Sequence, residues 1–196
     1  MPSDPGPLVL AFDTSAGHCA AALCRGGLVI SARAEQMTRG QAERLFPLIE
    51  NVLKDGGVAW SDLDRIGVGV GPGNFTGIRI SVSAARGLAL SLGIPAIGVS
   101  TFDAVRQDAP GAAVAVPAPR GQVYLSPAPD EDPRLVATED AGDALSPPAP
   151  DDLVVAMARA AASADPAHCA PPAPLYLRPA DAAPPRDAPP EIVDVA

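Results

Sequence analysis

From Leu8 onward, short apolar runs alternate with polar or glycine breaks at strand-like spacing: Leu8 to Asp13, His18 to Cys24 and Leu28 to Glu35. Arg25-Gly26-Gly27 forms a tight turn between the last two, so the pattern predicts an antiparallel meander. The period then changes. Between Gln41 and Lys54, Leu45, Leu48, Ile49, Val52 and Leu53 recur at helical spacing, and Gly56-Gly57 closes the segment. Pro47 inside it removes one N–H and is expected to bend the helix. Ser61 and Asp62 read as caps of a short turn. A strand Ile66 to Val70, a helix from about Thr76 to Leu92 and a strand Ala96 to Val99 follow, an order that implies a parallel crossover. A meander followed by alternating helices and strands predicts an α/β domain with a mixed sheet.

Beyond residue 109 the pattern thins. Residues 1–109 hold 15 of the 18 glycines and 6 of the 24 prolines, while residues 110–196 hold the other 3 and 18, which places a domain boundary near Pro110. The expected organisation is an N-terminal lobe over 1–109 and a smaller, Pro-rich lobe over 110–196 with a loose tail. Within the second lobe, Ala112 to Val116, Gln122 to Ser126 and Leu135 to Thr138 read as strands, and Asp152 to Ala162 as a helix capped by Asp151. The Pro-rich spans 144–150 and 170–190 exclude long regular structure.

The helix after the glycine run has two dry faces. Ile78, Val82, Ala85, Ala89 and Leu92 form one stripe, suited to a sheet; Ile80, Ala84, Gly87 and Ser91 form a second, roughly 200° away at 100° per residue. The second is built of small residues that admit another helix, and Gly87 in a helix interior costs about 1 kcal/mol against alanine without close packing in return. A covering chain is the favoured expectation, and a helix sandwiched within one monomer the other.

Charge narrows the partners. The chain is 47% hydrophobic and carries 14 Lys plus Arg against 23 Asp plus Glu, so a net charge of -9 repels a polyphosphate backbone and any nucleic-acid role runs through a partner. No basic region precedes the first apolar run, Asp13 interrupts that run, and the stretch Leu88 to Val99 is too short to span a bilayer; a cytoplasmic protein is expected. Cys19, Cys24 and Cys169 are expected to be small buried thiols, and His18 and His168 show no metal spacing and no acid beside them in sequence.

The candidate chemistry lies in Gly67-Val68-Gly69-Val70-Gly71-Pro72-Gly73-Asn74-Phe75-Thr76-Gly77-Ile78-Arg79. Glycines at a strand-to-helix turn admit either a phosphate at the helix N-terminus or a second backbone packed hard against the first. A cradle would use Gly71 and Gly73 with Asp13, Thr14 and Ser15, whose carboxylate and hydroxyls end the first strand. Against it, no Gly-Lys-Ser/Thr is present and no acid follows the turn until Asp103. Aromatics make up 4%, too sparse for an RNA-stacking platform; Phe75 reads as a core plug, and Arg79 either reaches a partner's carboxylate or a phosphate, or is solvated.

The blocks LAFDTS, ERLFPLI, GVGVGPGNFTGIRISVSAARGLA, GIPAIGVSTFDAV, RGQVY and PLYLRP, running from Leu8 to Pro179, closely resemble the TsaB (YeaZ) family. The resemblance implies an actin-like, two-lobed fold of the sugar-kinase and Hsp70 superfamily, with the second lobe reduced here. It implies a partner rather than a catalyst: the related TsaD subunit binds ATP and metal and transfers threonylcarbamoyl to the adenosine next to the anticodon in tRNAs reading codons that begin with A. A TsaE-type ATPase joins, and tRNA is met only through the complex. In that picture no cofactor is held by this chain, and its docking face comprises Glu43, Arg44, Phe75, Arg79, Ile80, Ala84, Gly87 and Ser91, with a homodimer when the chain is alone. Two departures stand out: Gln41-Ala42 where relatives carry His-Ser, and Pro117-Ala118-Pro119-Arg120 where they read Asp-Ala-Arg, which takes a carboxylate out of the cleft. A free-standing actin-like ATPase or kinase using Asp13 is the alternative, with the peptidase labels of the wider superfamily a third reading.

Overall fold

The computed structural model describes residues 5–177. Strands β1 (Leu8–Asp13), β2 (His18–Arg25) and β3 (Leu28–Gln36) form the meander, and β4 (Arg65–Gly69) and β5 (Ala96–Val99) add in parallel beside β1, in the order β3-β2-β1-β4-β5. Gly26 and Gly27 turn the chain at φ of 54° and 87°, the two positive values a tight hairpin turn requires. Helix α1 (Gln41–Asp55) precedes β4 and contains Pro47; α2 (Phe75–Leu92) crosses from β4 to β5. Asn74 caps α2 by accepting the Gly77 amide at 2.9 Å, and Gly93 ends it at φ 67°.

The sheet's two faces are packed differently because alternate residues point to opposite sides. Leu8, Leu10 and Phe12 bury against Leu45, Leu48, Ile49 and Val52 of α1 and Ile78, Val82 and Ala85 of α2. The other face is built of Ala11, Ala20, Ala22 and Gly67, small enough for helix α4 (Pro150–Ser163) to approach closely through Met157, Ala158 and Ala161. A Cβ on Gly67 would stand 3.0 Å from the Ala161 Cβ. Arg65 fixes the far end of α4, donating from Nη1 to the Ala161, Ala162 and Ala164 carbonyls at 3.2, 3.0 and 2.7 Å. Thus α4 follows the boundary expected at residue 110 yet closes the sheet that precedes it.

The second sheet is antiparallel, β6 (Val114–Ala118), β7 (Gln122–Ser126) and β8 (Arg134–Ala137) in that order. Its core joins Val114, Val116 and Tyr124 to Phe102 and Val105 of the short helix α3 (Thr101–Arg106). The sequence reading passed over α3, although Ser100 caps it by accepting the Asp103 amide at 3.0 Å while donating to the Asp103 carboxylate at 2.6 Å. Strand β6 starts two residues later than expected and accommodates Pro117. Asp151 is not a cap: α4 begins at Pro150, and Asp151 and Asp152 lie in its first turn, where a carboxylate favours the helix dipole. Asp62 accepts the Ala59 amide at 2.9 Å, as a cap does. The loose tail expected at 178–196 lies outside the described residues.

Cys19 and Cys24 are buried, and burial pushes their thiols up to about 12 and about 11; Cys169, expected to be buried as well, is half-exposed. Among the described residues no helix is long and apolar enough to cross a membrane.

The faces of α2 also differ from expectation. Ile78, Val82 and Ala85 are buried, but Ile80 and Ala84 are half-buried against the chain's own core rather than open. The exposed arc carries Thr76, Arg79, Ser83, Arg86, Gly87 and Leu90, and Leu90 is 87% exposed. At 100° per residue these six fall within about 100° of the helix circumference. The uncovered face therefore exists, rotated from the Ile80–Ser91 stripe toward the two arginines.

Candidate functional site

Three turns meet at the carboxyl ends of β1 and β4. The segment after β1 carries Thr14 and Ser15, the glycine run leads into α2, and Thr101 opens α3. The backbone contacts decide what the glycines do. Thr14 Oγ1 donates to the Gly77 carbonyl at 2.6 Å, and the Asn74 amide donates to the Ser15 carbonyl at 2.6 Å. A Cβ on Gly73 would overlap the Ser15 carbonyl oxygen, one on Gly77 the Thr14 carbonyl oxygen, and one on Gly71 would lie 2.6 Å from Ile78 Cδ1. At these three glycines an added side chain would meet the chain's own backbone or Ile78, so close packing accounts for glycine there. The residues chosen from sequence do come together, as a packed joint.

Asp13 sits inside this joint, fully buried. Its Oδ2 accepts from Ser15 Oγ at 2.9 Å and stands 2.7 Å from His18 Nε2, while Oδ1 has no hydrogen-bond partner and lies against Gly69, where a Cβ would overlap it. The register explains the pair: Asp13 faces Ala20 across β1 and β2, and His18 is the same-face diagonal neighbour. Both histidines thus have an acid partner in space although none stands beside them in sequence, since His168 Nδ1 is 2.7 Å from Asp165 Oδ2. Ser15 and His18 bond the same carboxylate oxygen rather than each other, so no serine–histidine relay is formed.

Beside the joint lies a cleft of about 870 Å³ between the first sheet's turns and the second sheet. Ser15, His18, Gly73, Thr101, Tyr124 and Tyr176 are among its lining residues, together with Pro117 and Pro119 from the departure noted in the sequence. Its lining includes no lysine, arginine, aspartate or glutamate among the described residues, and Asp13, Thr14 and Gly71 do not line it. Thr101 Oγ1 is buried without a partner. The described residues contain no group of three or more His, Cys, Asp or Glu able to hold a metal ion.

At the mouth, Phe75 stacks on Tyr176 with ring centroids 4.8 Å apart, so it is not the core plug expected of it. The Arg79 guanidinium lies 3.9 Å above the Phe75 ring and its Nε donates to the Tyr176 hydroxyl at 2.8 Å. Tyr176 belongs to the PLYLRP block, but nothing in the sequence set it against Phe75 and Arg79, because the contact arises from a return of the chain 97 residues later, where the Leu175 amide donates to the Val70 carbonyl at 2.8 Å.

On the neighbouring helix α1, Glu43 is exposed and Phe46 is 42% exposed. Arg44 makes a bidentate pair with Glu35, with both bonds at 2.6 Å, and this guanidinium holds the Glu35 carboxyl below its ordinary value. Gly87 and Ser91 are exposed, and nothing lies within 4 Å of a Cβ built on Gly87.

Comparison with known proteins places this geometry. Residues 29–149 match the family described as "TsaD: tRNA N6-adenosine threonylcarbamoyltransferase". The chain is 39% identical over 101 residues to the "tRNA threonylcarbamoyladenosine biosynthesis protein TsaB" of Escherichia coli (strain K12), covering 52% of this chain and 43% of that one. It is 37% identical over 123 residues to the protein of the same description from Buchnera aphidicola subsp. Schizaphis graminum, covering 60% and 58%. The chain thus spans about half the length of the curated relatives it matches. Among solved structures, "YeaZ from Pseudomonas aeruginosa" superposes with a TM-score of 0.54 at 34% identity, over 67% of this chain and 65% of that one. A protein described as having "similarity to peptidase YEAZ from Pseudomonas aeruginosa" gives 0.66 at 26% identity, over 88% and 100%.

Proposed function

This chain belongs to the TsaB (YeaZ) family, within the wider group that the TsaD family describes, and on that premise we propose that it is the non-catalytic partner subunit in threonylcarbamoyladenosine formation on tRNA. Its role is to bind and position a TsaD-like subunit, which holds ATP and metal and carries out the transfer. A TsaE-like ATPase joins that assembly in the cytoplasm, and tRNA is contacted through the complex.

One observation carries the reading: α2 leaves an arc centred on Arg79, Ser83, Arg86, Gly87 and Leu90 uncovered, although its opposite face, with Ile78, Val82 and Ala85, is packed into the core. An exposed leucine beside a glycine with open space above its Cα is the surface a second helix packs into. The glycine turn fits a partner role, since Gly73 and Gly77 are packed against the Ser15 and Thr14 carbonyls.

The test is complex formation between the purified chain and its organism's TsaD-like subunit, measured by size-exclusion chromatography with light scattering. A one-to-one complex is expected, together with no ATP hydrolysis by this chain alone. Gly87→Leu places a branched side chain on the open face without disturbing the fold and is expected to abolish the complex with an unchanged far-ultraviolet spectrum. Wild-type affinity in that variant would mean that another face docks.

A further inference from the structure

We infer that the cleft between the two sheets is a binding site for a flat, uncharged carboxamide or lactam, recognised through His18 Nδ1 and the Thr101 hydroxyl. This property belongs to the chain by itself and is independent of the docking role proposed above. The cleft holds about 870 Å³, within the range of sites that enclose a small organic ligand. Its lining includes residues from the turns that follow β1, β4 and β5, three neighbouring parallel strands of the first sheet, and the carboxyl ends of such strands are where open α/β sheets receive ligands.

Two polar atoms on its lining residues lack a partner within the chain. His18 and Thr101 are both more than nine-tenths buried. The His18 ring is fixed by Nε2, which stands 2.7 Å from Asp13 Oδ2, while Nδ1 makes no hydrogen bond among the described residues. A carboxylate only accepts, so Nε2 carries the proton, and in the neutral ring Nδ1 presents a lone pair. Its complement in a ligand is an N–H. Thr101 Oγ1 is unpartnered as well, and its complement is a carbonyl oxygen that takes the hydroxyl proton. Buried polar groups left unpaired are unfavourable, and a ligand that brings both complements relieves them.

The rest of the wall sets shape and charge. Pro117, Pro119 and Phe75 contribute apolar rings, and no lysine, arginine, aspartate or glutamate among the described residues lines the cleft. An ionic group that enters leaves water without gaining a counter-charge, whereas a flat neutral group gains apolar contact and keeps its hydrogen bonds. A carboxamide or lactam combines the N–H, the carbonyl, the flat shape and the absence of charge.

The experiment is a nuclear magnetic resonance titration of the full chain, labelled with nitrogen-15 in its histidine rings, with benzamide as the probe. Benzoate, which is charged, and methyl benzoate, which lacks the N–H, are the matched controls. The chain has two histidines, and His168 does not line the cleft, so its ring is an internal reference; the exposed His168→Gln variant assigns the signals. A saturable shift of the His18 Nδ1 resonance with a Kd of roughly millimolar order is expected of so small a probe, with His168 unmoved. Benzoate and methyl benzoate are expected to bind about tenfold more weakly or worse. Thr101→Val, which keeps the shape of the wall, is expected to weaken benzamide about fivefold. The absence of a saturable His18 shift, equal shifts at both histidines, benzoate binding as well as benzamide, or an unchanged affinity in Thr101→Val would each overturn the inference. None of these results bears on the complex with the TsaD-like subunit.

Discussion

The Asn74 amide donates to the Ser15 carbonyl at 2.6 Å, and this bond ties the glycine turn to the turn that follows β1. Together with the Thr14 hydroxyl on the Gly77 carbonyl, it makes the turn a joint between two strand ends.

That joint makes the glycines unequal. Gly77→Ala places a methyl group into the Thr14 carbonyl and is expected to destabilise the chain by ~2–3 kcal/mol, despite alanine's better helix propensity. Gly87→Ala on the same helix meets nothing within 4 Å and is expected to stabilise by up to ~1 kcal/mol. Urea unfolding of both variants checks the contrast; equal shifts would contradict the packing account.

His18 holds a buried carboxylate in place. In His18→Ala, Asp13 keeps the Ser15 hydroxyl but loses its His18 hydrogen-bond partner in a fully buried position, and a loss of ~2–3 kcal/mol is expected. Adding Asp13→Asn should recover part of that loss, since it removes the unpaired charge. A double-mutant cycle measures the coupling, and strict additivity would contradict it.

Thr101 offers the opposite case. Its hydroxyl is buried without a partner at the cleft wall, so Thr101→Val, which keeps the shape, is expected to raise stability by ~1 kcal/mol or more. Thermal unfolding of the two proteins decides the matter, and a lower midpoint for the variant would mean that the hydroxyl has a structural role.

Acid sensitivity is expected where Arg44 meets Glu35. The guanidinium lowers the Glu35 carboxyl, so the folded chain holds fewer protons there than the unfolded chain. The pair's contribution is therefore full above the ordinary glutamate range and lost as pH falls through the folded value. Both side chains are more than a third exposed, so the contribution is small. Comparing the pH dependence of Tm between wild type and Glu35→Gln isolates it: the variant's curve should be flatter on the acid side of about pH 4.3, and superimposable curves would show the pair to be inert.

How far each feature could be read from the chain follows from how local its cause is. Strands β1 and β5, the limits of β7 and the Gly26-Gly27 turn depend on neighbouring residues, and short apolar runs bounded by turn residues placed them. The two faces of α2 were visible in its spacing, but the degree to which Ile80 and Ala84 lean on the core was not, because that depends on where α1 and the sheet edge lie. Nor did composition reveal that α4 packs on the first sheet, since the proline shift near residue 110 records loop content and not which surfaces meet.

The sequence by itself determined the order of the elements other than α3, the family resemblance and the glycine turn after β4, because periodicity and turn chemistry act over a few residues. Only the tertiary structure decided that Asp13 is held by His18, that Phe75 and Arg79 are completed by Tyr176, and that no lysine, arginine, aspartate or glutamate among the described residues lines the cleft. These arise where distant segments converge, and there the fate of a carboxylate, a ring or a guanidinium is set by the partner that folding brings within a few ångströms.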